Sequence, residues 1–202
     1  TPAQEQAEFL RMVSDRMARG SLGKTEVDLV CTTYQEREPG LARQLRATGA
    51  VRAGNVAHSA VLACLGSPQA HEETVRALTS SRDEDVATVQ VYLRHRSLAD
   101  IGELRAVASG IGRMTAPAAQ VRALETLAKQ RLADVQSLQE IARLFPLARS
   151  LEVQRAIAGI LIRSDTKMLA RADLARSLRQ HRLKSPDGSD VIDMLIRVLQ
   201  ST

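Results

Sequence analysis

Apolar residues recur along this chain at helical spacing. Phe9, Met12, Val13 and Met17 follow the i, i+3, i+4, i+8 pattern that places them on one face of an α-helix. Val27, Val30, Cys31 and Tyr34 repeat the pattern, as do Ile101, Leu104, Ala108 and Ile111, and again Val135, Leu138, Ala142 and Phe145. Breaks are expected where Gly and Pro gather: at Gly20 and Gly23, Pro39-Gly40, Gly66-Ser67-Pro68, Gly110 and Gly112, Pro117, and Pro186-Asp187-Gly188. Between them fit helices of roughly 10–16 residues joined by short turns. The spacing predicts an all-α fold.

The helices also repeat. Leu98-Ala99-Asp100-Ile101-Gly102-Glu103-Leu104 returns as Leu132-Ala133-Asp134-Val135-Gln136-Ser137-Leu138, at an offset of 34. Val121-Arg122-Ala123-Leu124 aligns with Gln154-Arg155-Ala156-Ile157 at an offset of 33. Earlier members of the series begin at Val56 and Val89, and a closing helix spans Val191 to Leu199. A period near 33 residues that holds two helices is the signature of an α-solenoid of stacked antiparallel helix pairs. One such pair cannot bury its apolar stripe alone, so neighbours must stack.

The stretch Val121-Arg122-Ala123-Leu124, echoed at Gln154-Arg155-Ala156, resembles the second helix of HEAT or HEAT-like repeats of the lyase type. The resemblance runs from about Val56 to Leu178. Residues 1–55 are read as less regular N-terminal helices, 56–178 as HEAT-like repeats and 179–202 as a turn and closing helix, all in one array. HEAT repeats often place an Asp six residues before the helix Arg. Here those positions hold Ala116 and Arg149, which leaves the family's Asp–Arg ladder without its acid there. Tetratricopeptide repeats have a similar period, but their Trp, Tyr and Phe positions are not found. The resemblance implies a non-catalytic scaffold with a protein partner. It also admits nucleic-acid binding, as in HEAT-like DNA glycosylases, or service as a lyase or chaperone for a cofactor-bearing partner.

Composition sharpens these expectations. The chain has 202 residues, two Phe, two Tyr and no Trp. So few aromatics argue against an all-β fold, fit thin aliphatic helical layers and disfavour base stacking. The longest apolar run, Ala156 to Ile162, is too short to span a bilayer, which takes roughly 20 residues. Gln4, Glu5, Gln6 and Glu8 interrupt any apolar leader, and Thr1 in place of Met is expected of a module of a longer or processed protein. The compartment stays open, with the cytoplasm favoured over the periplasm or secretion.

The net charge of +5 is local. Lys167, Arg171, Arg176, Arg179, Arg182 and Lys184 face only Asp173 within residues 167–184, and the rest of the chain is balanced. These cations are the candidate partner-binding patch for an anionic surface. They spread around the helix, so a solvated helix face is the plainer reading.

Other motifs are weaker. Ala18-Arg19-Gly20-Ser21-Leu22-Gly23-Lys24-Thr25 resembles a phosphate-binding loop, yet an amphipathic helix precedes it instead of a buried strand. It is read as a turn, with Thr25 capping the next helix. His71-Glu72 lacks the second His of a zinc-protease helix, since residue 75 is Val, and His58, His95 and His181 share no ligand spacing. Asp83-Glu84-Asp85 reads as a helix N-terminal cluster favoured by the dipole. Cys31 and Cys64 are separated by 33 residues, so a bond between neighbouring repeats is open. Two free core thiols are preferred, because helix axes lie roughly 8–10 Å apart and a disulfide needs Cα atoms within about 7 Å. No catalytic residue, cofactor or metal site is expected.

Overall fold

A computed structural model of the chain describes every residue except 99, 131–134 and 202. Among the described residues there are twelve α-helices and no strand. They are α1 (Pro2–Ala18), α2 (Lys24–Thr33), α3 (Pro39–Ala47), α4 (Val56–Cys64), α5 (Pro68–Arg76), α6 (Asp83–His95), α7 (Ile101–Arg113), α8 (Pro117–Ala128), α9 (Val135–Ala142), α10 (Leu151–Ile162), α11 (Arg171–His181) and α12 (Val191–Gln200). A 3-10 turn, Ala77–Thr79, follows α5. Packing is mostly between helices close in sequence.

Local chemistry explains most boundaries. Pro opens α1, α3, α5 and α8, where its missing N–H costs nothing. Asn55, Ser67, Asp100, Ser150 and Asp190 cap α4, α5, α7, α10 and α12 by accepting a first-turn N–H. Two expectations are corrected. Helix α7 continues through Gly110 and Gly112, because Val107, Ala108 and Ile111 are buried and hold it. The cap of α2 is Gly23, not the exposed Thr25; the Glu26 carboxylate turns back to accept the Gly23 N–H at 2.8 Å.

The chain divides into two compact units, Thr1–Ser97 and Leu98–Thr202. In the first, α2, α4 and α6 pack on one another and α5 pairs with α4. The Arg96 guanidinium donates to the carbonyls of Tyr34 and Cys64, at the C-terminal ends of α2 and α4. Cations are favoured at helix C-termini, where carbonyls lack partners.

Beside Arg96, Cys31 of α2 and Cys64 of α4 form a disulfide with Cα atoms 4.9 Å apart, both residues fully buried. This overturns the preference for free thiols. The axis separation was the wrong distance to compare. Facing Cα atoms each stand about 2.3 Å off their axis, so axes roughly 9–10 Å apart leave about 5 Å between them.

In the second unit α8, α10 and α12 pack side by side; α7 lies against α8 and α9, α9 against α10, and α11 against α12. The buried positions set the register. Gln120, Ala123, Leu124, Thr126 and Leu127 of α8 fall, 34 residues on, upon Gln154, Ile157, Ala158, Ile160 and Leu161 of α10, all buried. The alignment of Val121 with Gln154 is therefore one residue out. Of the Leu-Ala-Asp frame, residues 99 and 132–134 lie outside the described residues; its last pair, Leu104 and Leu138, is buried at both positions.

Candidate functional site

The basic segment is built from the end of the 163–170 connection, α11 and the turn after it. Leu174, Ala175 and Leu178 turn one face of α11 inward, leaving the long cations outside. The structure then separates the six. Arg176 pairs with Asp173 at 2.9 Å in solvent, and Lys184 pairs with Asp187 at 3.2 Å. Arg182 pairs with Asp193 of α12, both side chains 12% exposed. Arg171 donates to the Val198 carbonyl. Among the described residues no carboxylate pairs with Lys167 or Arg179, and both are exposed.

The turn 182–193 is thus a fastened element. The Ser189 N–H and hydroxyl, with the Lys184 ammonium, pull the exposed Asp187 carboxyl down to about 2. Burial pushes Asp193 up, but the Asp187 N–H and the guanidinium groups of Arg182 and Arg197 outweigh it and hold it low. Arg155 of α10 meets Asp190, the buried cap of α12, at 2.8 Å. Arg155 thus finds its acid at the head of α12. Gln154 closes the arrangement: its amide donates to the His181 carbonyl and its oxygen accepts the Leu183 N–H.

The first unit holds a polar cleft of about 460 Å³ at the N-terminal ends of α2, α4 and α6. Gly20 and Gly23 of the phosphate-loop-like stretch line it, with Arg52 and Arg82 opposed by Glu84 and Asp85. Three amides of that stretch are bonded within the protein. The Gly20 and Ser21 N–H groups are bonded to the carbonyls of Met17 and Arg16, and that of Gly23 to Glu26. Burial raises the Glu26 carboxyl, yet the Gly23 N–H and Arg16 hold it below the usual range. A neighbouring cleft of about 470 Å³ shares Gly54, Val56 and Asp85 with it; there the Ser59 hydroxyl donates to Glu73 at 3.0 Å. A third, of about 660 Å³, lies in the second unit between Arg113, Gln120, Leu147 and Arg149.

The histidines are dispersed. His71 Nδ1 meets the Tyr92 hydroxyl at 2.6 Å, and His95 of α6 meets Asp28 of α2 at 2.7 Å. His58 is buried and accepts the Arg52 N–H on Nδ1 at 3.0 Å; burial, then the Arg52 charge, lowers its pKa. Among the described residues no three His, Cys, Asp or Glu side chains are grouped to hold a metal. Asp83-Glu84-Asp85 forms the first turn of α6, with Asp85 accepting the Ser80 hydroxyl at 2.9 Å.

One surface was not read from the sequence. Helix α12 leaves Met194 and Val198 exposed, at 37% and 42%, one turn apart. Its signal was available: Asp193, Arg197 and Gln200 make one narrow polar stripe, and the apolar arc that fills the rest of α12 is wider than contacts with two neighbours cover. No helix described here is long and apolar enough to cross a membrane. No family model, no curated protein and no solved structure matches this chain.

Proposed function

We propose that this chain is a non-catalytic protein-interaction scaffold built from HEAT-like helix pairs stacked as an α-solenoid. The observation that carries the reading is the 34-residue register of buried positions between α8 and α10, with α12 packed on as the next member. Equivalent helices that repeat their burial generate a continuous core and an extended outer surface, which is what such stacks use for binding. The nucleic-acid reading has less support, since three of the six cations in 167–184 already pair with Asp173, Asp187 and Asp193. The buried disulfide supports a compartment that permits such bonds over the cytoplasm.

Immobilised chain of residues 1–202, in its disulfide form, is the test. Native extract should leave a defined protein on it that free chain displaces. Retention of nothing, or release of captured material as nucleic acid at moderate salt, would overturn the scaffold reading.

A further inference from the structure

Helix α12 ends the row α8, α10, α12. It packs on α10 and α11, and Ile192, Leu195, Ile196 and Leu199 are buried. Its remaining strip reads Val191, Met194, Val198, at i, i+3 and i+7, with Val191 half-buried and the other two exposed. Helix α10, one place earlier in the row, has α8 on one flank and α12 on the other. The strip on α12 is the surface where a further helix would continue that row.

Charge selects what fits there. Arg197 lies three residues from Met194 on α12, and its guanidinium donates to the Gly188 carbonyl at 3.0 Å. Arg171 reaches the Val198 carbonyl. The carboxylates of α11, the turn and α12 are committed elsewhere: Asp173 to Arg176, Asp187 to Lys184, Asp190 to Arg155 and Asp193 to Arg182. Arg197 adds to the field on Asp193 without bonding to it. The strip is thus apolar along its length and flanked by two cations bound only to neutral carbonyls. A second copy of this chain would bring the same cations to the same face, which like-charge repulsion opposes.

We propose that Val191, Met194 and Val198, with Arg171 and Arg197, dock an acidic amphipathic helix of a partner protein, laid along α12. Apolar anchors at i, i+3/i+4 and i+7 would fill the strip, and flanking Glu or Asp would meet the two guanidinium groups. This rests on the scaffold reading and specifies its partner.

The test is fluorescence anisotropy of a labelled designed 18-residue helix, Leu along one stripe and Glu on both flanks, titrated with the full chain. Binding that weakens as salt rises is expected. Met194→Asp and Val198→Asp should each weaken it at least tenfold, and Arg197→Glu at least threefold with a shallower salt slope. These side chains are exposed, so circular-dichroism melts should stay with the parent's and separate lost docking from lost folding. Several results overturn the proposal: equal binding of a peptide with Lys in place of Glu, strip variants that bind like the parent, or no peptide binding at all. A dimer in sedimentation that Met194→Asp dissolves would make a second copy the occupant. Binding to phosphatidylglycerol vesicles without peptide binding would make it a lipid surface. If extract capture still retains a protein and the strip variants leave it unchanged, the scaffold reading survives and this surface does not.

Discussion

His58 shows how one side chain acquires a property from its surroundings. Its Nδ1 accepts the Arg52 N–H, so the neutral ring carries its proton on Nε2, inside the first unit. Burial and the Arg52 charge both oppose a second proton, and the folded pKa falls below 6.5. Above pH 6.5 the ring is neutral folded or unfolded, and no penalty arises. Below it the unfolded chain takes up a proton that the folded chain refuses, so stability declines as pH falls from 6.5 toward the folded value. Urea midpoints at pH 7.5 and 5.5 check this: the parent should lose stability between them, and His58→Asn, which retains an acceptor for Arg52, should lose less. A parent curve with the same slope as the variant's would refute the assignment.

The helices use their glycines in opposite ways. Gly66 follows the C-cap of α4 with φ +97°, and the Ser67 N–H returns to the Leu62 carbonyl at 3.1 Å, as in a Schellman motif. A Cβ there would meet Arg37 Cγ at 2.7 Å and be strained by the backbone as well. Gly112 lies inside α7, where a Cβ would meet Leu144 Cδ2 at 3.5 Å and Leu147 Cδ1 at 3.9 Å, both ordinary contacts. Gly112→Ala should therefore raise stability by about 0.5–1 kcal/mol through helix propensity, and Gly66→Ala should lower it by at least about 1 kcal/mol. Thermal melts of the two variants read both signs; a matching direction in both would contradict the account. The same elements show why the basic segment is less free than its charge implied. The Arg182–Asp193 salt bridge needs the turn after α11 to fold back on α12, and Lys184 finds Asp187 within that turn, contacts no helical wheel of α11 contains.

Over the whole chain, the two units are held by different means. The first, Thr1–Ser97, has the Cys31–Cys64 bond joining α2 to α4 beside the Arg96 clamp on their C-terminal carbonyls. Closing a loop of 33 residues removes unfolded-state freedom worth about 3–4 kcal/mol. The second, Leu98–Thr202, relies on aliphatic burial along α8, α10 and α12 and on the polar ties Arg155–Asp190 and Gln154 to His181 and Leu183. Replacing both cysteines with Ala should destabilise by that amount. In hydrogen exchange followed by mass spectrometry, peptides from residues 1–97 should lose more protection than those from 98–202. Intact mass of the alkylated parent gives the companion reading, with no label incorporated until a reductant is added. Labelling of both cysteines without reductant would show the bond to be absent.

How much of this was legible depended on distance along the chain. Apolar spacing placed the buried faces of α2 and α7, because residues three and four apart share a helix face whatever the rest of the molecule does. Pro39, Pro68 and Pro117 marked breaks between helices because a missing N–H acts locally, and the structure sets each at the start of the helix that follows. The aliphatic, repeating character that suggested stacked helix pairs was also present in residue order alone. Other features were decided by side chains far apart in sequence. Cys31 and Cys64 bond because two helix surfaces face each other, and Arg155 finds Asp190 because α10 and α12 are neighbours in space. The 34-residue register became clear only from which positions are buried, since Arg122-Ala123 and Arg155-Ala156 match as letters at an offset of 33. Met194 and Val198 belong to a pattern that predicts burial, yet they remain exposed, because α12 is flanked by α10 and α11 and they lie on neither flank. Periodicity states which face is apolar; only the tertiary packing states whether anything covers it.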